Sequence, residues 1–314
     1  MPFGTVLRRA LAILAFLACS NAVHAQLFRA YVASDGSDAN PCTLPQPCRL
    51  LPAALAAVAS GGEIWMLDSA NYNSATVVVG KSVTILAIPG AVGSVVALGG
   101  PAISITDPGL NVSLRNLVIV PFPGSGATNG VNLFAASSLT ISGSVIANLP
   151  LNGVNVASAF SSLKLTDTIV QNCGQRGVLL EAGANAEISG VRLLGNGLGG
   201  VLVSSLAGNT TTASVSDSVV SGPSPAGMSV GIAALSDFGG SALVSVTRST
   251  IQGHFYAISS AQTGSVSALS ISYSMIFNNA NKWYQTGALR SSGNNQFVDN
   301  AATGVGVIAL TPME

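Results

Sequence analysis

Residues 139–148 read LTISGSVIAN, and the spacing of the apolar residues in this stretch decides the fold. Leu139 and Ile141 lie two positions apart, and Ile146 follows five positions after Ile141. The same three apolar positions recur in seven segments, at intervals of 23 to 31 residues. With an apolar background of 48%, chance would fill all of these positions with a probability on the order of 10⁻⁷. Repeats at this interval are typical of a solenoid.

Three apolar columns run through the seven segments. The central column consists of Leu114, Ile141, Leu165, Ile188, Val215, Val246 and Ile271. Two positions earlier in each segment stand Val112, Leu139, Leu163, Ala186, Ala213, Val244 and Leu269. Five positions later stand Ile119, Ile146, Val170, Leu193, Val220, Ile251 and Ile276. The residue directly after the central one is polar in every segment, and we expect it to face outward.

A corner must divide each segment. Residues two apart share one face of a strand, whereas residues five apart would face opposite sides if the strand were straight. Two positions after the central residue stand Asn116, Gly143, Asp167, Gly190 and Asp217, which tolerate a left-handed backbone. Arg248 and Tyr273 break this rule in the last two segments.

A second marker precedes another strand in each repeat. It consists of the pairs Gly130-Val131, Gly153-Val154, Gly177-Val178, Gly200-Val201 and Gly227-Met228. Each coil therefore has at least two strands, and the chain has roughly nine to ten coils. Parallel strands joined by crossovers favour right-handed connections. The sequence predicts an all-β, right-handed parallel β-helix with a short capping helix within residues 50–60.

Composition argues against several other classes. Only 8% of the 314 residues are charged, against about 25% in an ordinary soluble domain. Disordered chains and long exposed helices both need more charge than this. Twelve basic and twelve acidic residues leave no basic excess to neutralise phosphates, which argues against a nucleic-acid partner.

The first 25 residues are typical of a secretory signal peptide. Arg8 and Arg9 precede an apolar run, and Ala25 places a small residue before a predicted cleavage at Gln26. The run is too short to span a membrane, and we expect no membrane insertion of the mature chain. We therefore predict a secreted or periplasmic protein, with an N-terminal loop and capping helix at 26–60 and the β-helix at 61–314. A lipoprotein signal at Cys19 is the weaker alternative.

Three cysteines follow the predicted cleavage site. Cys42 and Cys48 flank a Pro-rich loop, and we expect them to form a disulfide in an oxidising compartment. A metal site there would need further ligands, and no His or second Cys pair stands nearby. Cys173 is expected to be a buried thiol, because no local residue offers the base that a catalytic Cys needs.

The N-terminal region resembles a known class of proteins. Residues 31–38 (YVASDGSD), Pro47-Cys48-Arg49, an Ala-rich helix and Gly61-Gly62 are similar to the start of secreted right-handed parallel β-helix proteins, the pectin-lyase-like superfamily. The coils, such as residues 139–148, resemble the repeat of that superfamily. Its members include pectate lyases, polygalacturonases, alginate lyases and phage tailspikes, so the resemblance implies the fold and leaves the activity open.

The catalytic patterns of these enzymes are not recognisable in the chain. Glycoside hydrolysis uses a pair of carboxylates, and the sequence has no adjacent Asp pair. Asp167 and Asp217 are explained by their corner positions, while Lys164 and Glu187 occupy equivalent positions on neighbouring coils and predict a surface ion pair. We expect neither a metal nor another cofactor. Lyases of this superfamily also use Lys, Arg, His or Tyr, so a lyase or glycoside hydrolase acting on uronate-containing polymers remains open.

The sequence favours a protein that binds extracellular or cell-surface polysaccharide without cleaving it. A structural or adhesive surface protein is the third alternative, and the thinly capped C-terminal end offers a surface for oligomerisation. Seven of the aromatic residues lie between positions 255 and 297, and the same stretch contains Lys282 and Arg290. Aromatic faces suit sugar rings and cations suit uronates. The predicted contact residues are Tyr256, Tyr273, Lys282, Tyr284 and Arg290, with His254 or Tyr256 as the base of any reaction. The alternative is that these aromatic residues plug the C-terminal end.

Overall fold

The computed structural model describes residues 26–135, 137–205 and 208–311. The predicted signal peptide lies outside the described residues. Within them the chain forms 32 strands and a single α-helix, α1 (Leu51–Ala57), and every ladder between the strands is parallel. Successive strands pass in rotation through three sheets, which makes a parallel β-helix of about ten coils.

The strands of each sheet stack in the order of the coils. Sheet 1 contains twelve strands: β1 (Leu27–Val32), β2 (Val58–Met66), β5 (Val83–Ala87), β8 (Asn111–Arg115), β11 (Ser138–Ser142), β14 (Ser162–Thr166), β17 (Asn185–Ser189), β20 (Thr210–Ser216), β23 (Ser241–Thr247), β26 (Val266–Ser272), β29 (Ala288–Ser291) and β32 (Ala309–Leu310). Sheet 2 contains ten: β3 (Ala70–Asn71), β6 (Gly93–Ala97), β9 (Leu117–Pro121), β12 (Val145–Ala147), β15 (Ile169–Gln171), β18 (Arg192–Leu194), β21 (Val219–Ser221), β24 (Thr250–Gln252), β27 (Met275–Phe277) and β30 (Gln296–Val298). Sheet 3 also contains ten: β4 (Val77–Val79), β7 (Ile103–Ile105), β10 (Val131–Leu133), β13 (Val154–Val156), β16 (Arg176–Leu180), β19 (Gly199–Ser205), β22 (Val230–Asp237), β25 (Tyr256–Thr263), β28 (Asn281–Gln285) and β31 (Ala302–Val305).

The three predicted apolar columns all face the interior. The central column and the one before it lie on the inner face of sheet 1, and the third lies on the inner face of sheet 2. Every member of the three columns is buried. The register matches the sequence alignment, because Ile141 pairs with Leu114 on one side and Leu165 on the other. The core is therefore a stack of like residues, repeated once in each coil.

Three turns join the sheets in each coil. Turn A leads from sheet 1 to sheet 2, turn B from sheet 2 to sheet 3, and turn C from sheet 3 back to sheet 1. The predicted corner is turn A, where Asn116, Asp167 and Asp217 have φ values of 54°, 49° and 52°. Arg248 and Tyr273 adopt the same conformation, with φ of 45° and 51°. The backbone thus keeps the corner in the two coils whose residue types depart from the rule.

A ladder of buried hydroxyl groups lines the inside of turn A. Ser218 Oγ accepts a hydrogen bond from the Val191 N–H at 3.2 Å and donates one to the Ser216 carbonyl at 2.6 Å. The same pair of bonds, one from an N–H of the preceding coil and one to a carbonyl two residues earlier, is made by the hydroxyls of Ser144, Thr168, Ser249 and Ser274. Each hydroxyl satisfies a corner N–H that the sheet ladders do not reach, and a buried polar group of this kind is costly when left unpaired.

The glycine marker was predicted in the wrong register at its last member. Gly130, Gly153, Gly177 and Gly200 do open sheet 3 strands, but the next in the column is Gly231, because Val201 pairs with Ile232. The Gly227-Met228 pair lies in turn B instead, and Met228 is 87% exposed. This turn B carries extra residues, which moved the true strand start four positions beyond the expected one.

The N-terminal end is closed by α1 and a tied loop. Helix α1 ends at Ala57, three residues before the end of the predicted segment, because Val58 begins β2. Cys42 and Cys48 form the expected disulfide, with Cα atoms 4.6 Å apart. Asp38 Oδ1 accepts hydrogen bonds from the N–H groups of Arg49 and Leu50, at the start of the helix.

A partly exposed carboxylate, Asp68, fixes the same region to the first coil. Asp68 accepts hydrogen bonds from the Ser34 N–H, the Ser34 hydroxyl and the Tyr72 hydroxyl. Desolvation opposes ionisation of Asp68, but these hydrogen bonds outweigh it and hold its pKa below the ordinary value. Burial and the neighbouring carboxylate raise the pKa of Tyr72.

Two aromatic residues close the interior near the C-terminal end. Trp283 is 8% exposed, and its ring lies edge-on to Phe297, with centroids 5.7 Å apart. Phe297 packs partly buried against the core. These two side chains act as the plug that was the alternative for the aromatic cluster. Assembly of copies of the chain through this end stays a prediction.

The glycine column predicts a sharp difference between two substitutions. A Cβ at Gly130 would lie 2.6 Å from the Gly153 carbonyl oxygen and 2.8 Å from Ile146 Cγ2. Gly130→Ala should therefore lower the free energy of unfolding by about 2 kcal/mol, measured by urea denaturation. A Cβ at Gly227 would approach no atom closer than 3.7 Å, so the control Gly227→Ala should change stability by less than about 0.5 kcal/mol. Equal effects would contradict the corrected register.

Candidate functional site

The five predicted contact residues do not share one surface. Tyr256, Lys282 and Tyr284 belong to sheet 3, Arg290 belongs to sheet 1, and Tyr273 lies in turn A. The structure brings together Tyr256 and Tyr284, whose ring centroids are 5.4 Å apart. The sequence window had grouped residues that are close along the chain, whereas one coil carries such residues around three sheets. Their role as sugar contacts stays a prediction.

His254 is wrongly placed as a base, because it points into the β-helix. Its side chain is 1% exposed, and its Nδ1 lies 3.3 Å from the Ser229 hydroxyl. Burial lowers the pKa of His254 to about 4. A buried neutral imidazole of this kind has no contact with solvent through which to reach a ligand.

The reason for this burial is the position of His254 in turn B. Gly253, directly before His254, has a left-handed backbone, and so do Asn172 and Asn278 at the equivalent position of other coils. The next side chain then turns inward, and Cys173, Asn196, His254 and Asn279 all occupy this position. Asn196 Oδ1 accepts a hydrogen bond from the Cys173 N–H at 3.0 Å, and Asn279 Oδ1 accepts one from the His254 N–H at 3.0 Å. His254 therefore belongs to a structural ladder.

The thiol of Cys173 has the same environment. It is 2% exposed, as expected from the sequence. Burial raises the pKa of Cys173 to about 11, so the thiol stays protonated and unreactive at neutral pH.

A groove runs across the outer face of sheet 1. It has a volume of about 850 Å³ and spans the five strands β17, β20, β23, β26 and β29. Its floor is formed by outward hydroxyls such as Ser214, Ser245 and Ser270, with Leu243 at one side and Arg290 at one end. With strands about 4.8 Å apart, the groove is about 19 Å long. This length suits an extended ligand.

Register explains why hydroxyls line the groove. Ser214 pairs with Ser245, which pairs with Ser270, and Ser270 pairs with Arg290. One strand position is thus repeated as a straight column along the outer face of sheet 1. A parallel column starts from Ser142 and consists of Ser142, Thr166, Ser189, Ser216, Thr247 and Ser272. Both columns present donors and acceptors at regular intervals along the axis of the solenoid.

The charges at the groove are few. Lys164 Nζ lies 3.0 Å from a Glu187 carboxylate oxygen, as predicted, and both side chains are more than half exposed. Such a surface ion pair contributes about 0–1 kcal/mol. Glu187 lines the end of the groove opposite Arg290. Among the described residues, no group of three or more His, Cys, Asp or Glu is placed to hold a metal ion.

An aromatic patch that no local sequence pattern indicates lies at the other end of sheet 1. The Arg29 guanidinium lies 4.1 Å from the centre of the Trp65 ring and 2.7 Å from a Glu63 oxygen. Tyr31 lies edge-on to Trp65, with ring centroids 6.3 Å apart. These residues stand 34 positions apart in sequence but pair directly in β1 and β2. Only the strand register shows that this patch and the groove share one face.

Comparisons with known proteins agree with this architecture. The family described as "Right handed beta helix region" matches residues 93–223. An alginate lyase structure from Paenibacillus sp. str. FPU-7 has a TM-score of 0.61 at 13% identity, covering 90% of this chain and 100% of that one. A complex of XylC with xylose also has a TM-score of 0.61, at 8% identity and with 87% and 69% coverage. A lacto-N-biosidase of family GH136 from Eubacterium ramulus has a TM-score of 0.55, at 10% identity and with 90% and 68% coverage.

No curated protein matches the sequence. The family match over residues 93–223 and the solved structures show the fold, which is a right-handed parallel β-helix. At these identities the solved structures show the fold alone. No helix within the described residues is long and apolar enough to cross a membrane.

The buried imidazole makes stability dependent on pH. The native pKa of His254 is about 4, below the ordinary 6.5, so between these values the unfolded chain binds a proton that the native chain does not. Stability is therefore lost as the pH falls through this window, by about 2 kcal/mol between pH 7 and pH 5. His254→Asn introduces the residue found in the next coil and should flatten this dependence. Urea denaturation of both proteins across the range tests it, and parallel curves would contradict the assignment.

Proposed function

We propose that the outer face of sheet 1 binds an extracellular or cell-surface polysaccharide without cleaving it. The groove across β17, β20, β23, β26 and β29 is the observation that carries the proposal. The solved structures of similar fold support a carbohydrate ligand, since they include an alginate lyase, a lacto-N-biosidase and a complex with xylose. Secretion through the predicted signal peptide would place the groove where such polymers occur.

The chemistry of the groove suits a sugar polymer. Sugar hydroxyls both donate and accept hydrogen bonds, and so do the Ser and Thr side chains of the groove floor. Arg290 can form paired, charge-assisted hydrogen bonds with a uronate carboxylate. A straight polymer lying along the solenoid axis would meet equivalent groups on successive strands. This match between two repeating structures favours an extended polysaccharide over a small ligand.

The carboxylate chemistry favours binding over hydrolysis. Glycoside hydrolysis uses a pair of carboxylates. Glu187 is the carboxylate that lines the groove among the described residues, and its partner is Lys164. The proposal therefore gives the groove a recognition role, and Arg290 a role as a contact residue.

Binding and cleavage can be measured in one experiment. Protein purified after expression of the full chain is run through native gels containing alginate, pectate or xylan, and each polymer is also assayed for unsaturated products and new reducing ends. We expect retardation in at least one polymer and no product. Retardation in none would contradict the proposal, and product formation would favour the lyase or hydrolase alternative.

The role of Arg290 has its own test. Loss of a charge-assisted hydrogen bond costs about 1.5–3 kcal/mol, so Arg290→Ala should weaken binding of an acidic polymer at least about tenfold. Arg192→Ala is the matched control, because Arg192 is also an exposed strand arginine but lies on sheet 2. Equal affinities of the two variants would remove Arg290 from the site.

A further inference from the structure

Residues other than glycine rarely adopt a left-handed backbone, and in this chain only certain residue types do so. Thirteen non-glycine residues of the described part have positive φ. Seven of them are Asn or Asp, which tolerate this conformation. Three are aromatic: Phe160, Phe238 and Tyr273, with φ of 60°, 50° and 51°. A bulky residue with such a backbone is an outlier.

The three aromatic rings are largely exposed. Phe160 is 86% exposed, Phe238 is 83% exposed and Tyr273 is 59% exposed. Each position therefore combines an unfavourable backbone with a ring presented to solvent. Glycine or asparagine would serve the turn with less strain. Strained residues that the fold does not require are a reason to look for function.

All three rings border the same sheet. Phe160 and Phe238 lie in turn C, which leads into β14 and β23 of sheet 1. Tyr273 lies in turn A, which leaves β26 of sheet 1. The strands β23 and β26 form part of the groove floor.

Turn B provides the comparison, since it does not touch sheet 1. Its non-glycine residues with left-handed backbone are Asn148, Asn172, Asn278 and Asp299. Their residue types are those that the conformation itself favours. Aromatic residues in left-handed turns thus occur, within the described residues, only on the two sides of sheet 1.

We propose that Phe160, Phe238 and Tyr273 are ring-stacking contacts for the polymer bound at the groove. The inference rests on the proposed function and specifies its ligand: a chain of pyranose units that present apolar C–H faces at the rims of sheet 1. An aromatic ring offers a flat apolar face for such a contact. The left-handed turn fixes the backbone from which each ring projects at the edge of sheet 1.

The test separates the ring from the backbone. Phe238→Gly removes the ring and relieves the left-handed strain, so its melting temperature should stay level or rise by about 2 °C. Its affinity for the polymer that retards the unaltered protein among alginate, pectate and xylan should fall by about tenfold. Affinity is measured by the mobility of the full-chain product in gels of graded polymer content.

Two control variants complete the design. Ala182→Gly makes the same backbone change in turn C, where Ala182 has φ of 58°, and should leave affinity unchanged. Phe122→Ala removes a ring that is 56% exposed after β9, away from sheet 1, and should also leave affinity unchanged. A fall in affinity for either control would contradict a role of the Phe238 ring specific to sheet 1.

The outcomes distinguish the two proposals. If the unaltered protein binds and Phe238→Gly binds equally well, the ring-stacking inference fails and the groove proposal stands. If the unaltered protein binds none of the three polymers, both fail. A loss of affinity together with a lower melting temperature would indicate that Phe238 supports the turn and would overturn the inference.

Discussion

The backbone hydrogen bonds between successive coils are the constraint on which the whole molecule depends. Parallel pairing fixes neighbouring strands about 4.8 Å apart, and it allows no slip without moving an entire coil. Ile141 is thereby held between Leu114 and Leu165, and every column of the interior inherits the same spacing. Because parallel strands can be joined only through crossover connections, each coil returns through two further sheets, and here it does so by way of three turns.

The narrow interior explains where the large and polar side chains lie. Its columns hold mainly Val, Ile, Leu and Ala, and the corners are filled by hydrogen-bonded Ser, Thr and Asn. The two buried aromatic side chains among the described residues lie towards the ends, Tyr72 in the first coil and Trp283 near the C-terminal end. His254 replaces one Asn of the turn B ladder and is held neutral by its surroundings. Most other aromatic rings are displaced to the surface, where they are available for contact.

The same stacking creates an outer face that a small globular domain cannot offer. A single strand position becomes a column about 50 Å long on sheet 1, because its twelve strands keep one register. The hydroxyl columns, the groove with Arg290 and the Trp65 patch all share that face. Phe238 and Tyr273 stand at its two edges. Sheets 2 and 3 show no comparable combination of groove and strained aromatic turns among the described residues.

The sequence by itself determined the coil. The apolar columns, the corner at turn A and the Cys42–Cys48 pair are local patterns, so the order of residues was enough to predict them. The Lys164–Glu187 pair also followed, because a regular repeat converts alignment into contact. The sequence pattern predicted a strand start at Gly227, which is wrong. Extra residues in that turn B move the start of the strand without changing the local composition.

Only the tertiary structure decided which residues share a surface. Tyr273, Tyr284 and Arg290 are near in sequence, yet the three-sided coil directs them to a turn and two different sheets. Arg29 and Trp65 are far apart in sequence, yet strand pairing brings them into contact. The burial of His254 likewise depends on the left-handed residue before it and on the coils above and below. In a solenoid, residues that contact each other lie on successive coils and are therefore one repeat apart in sequence. A short window of sequence does not contain both partners.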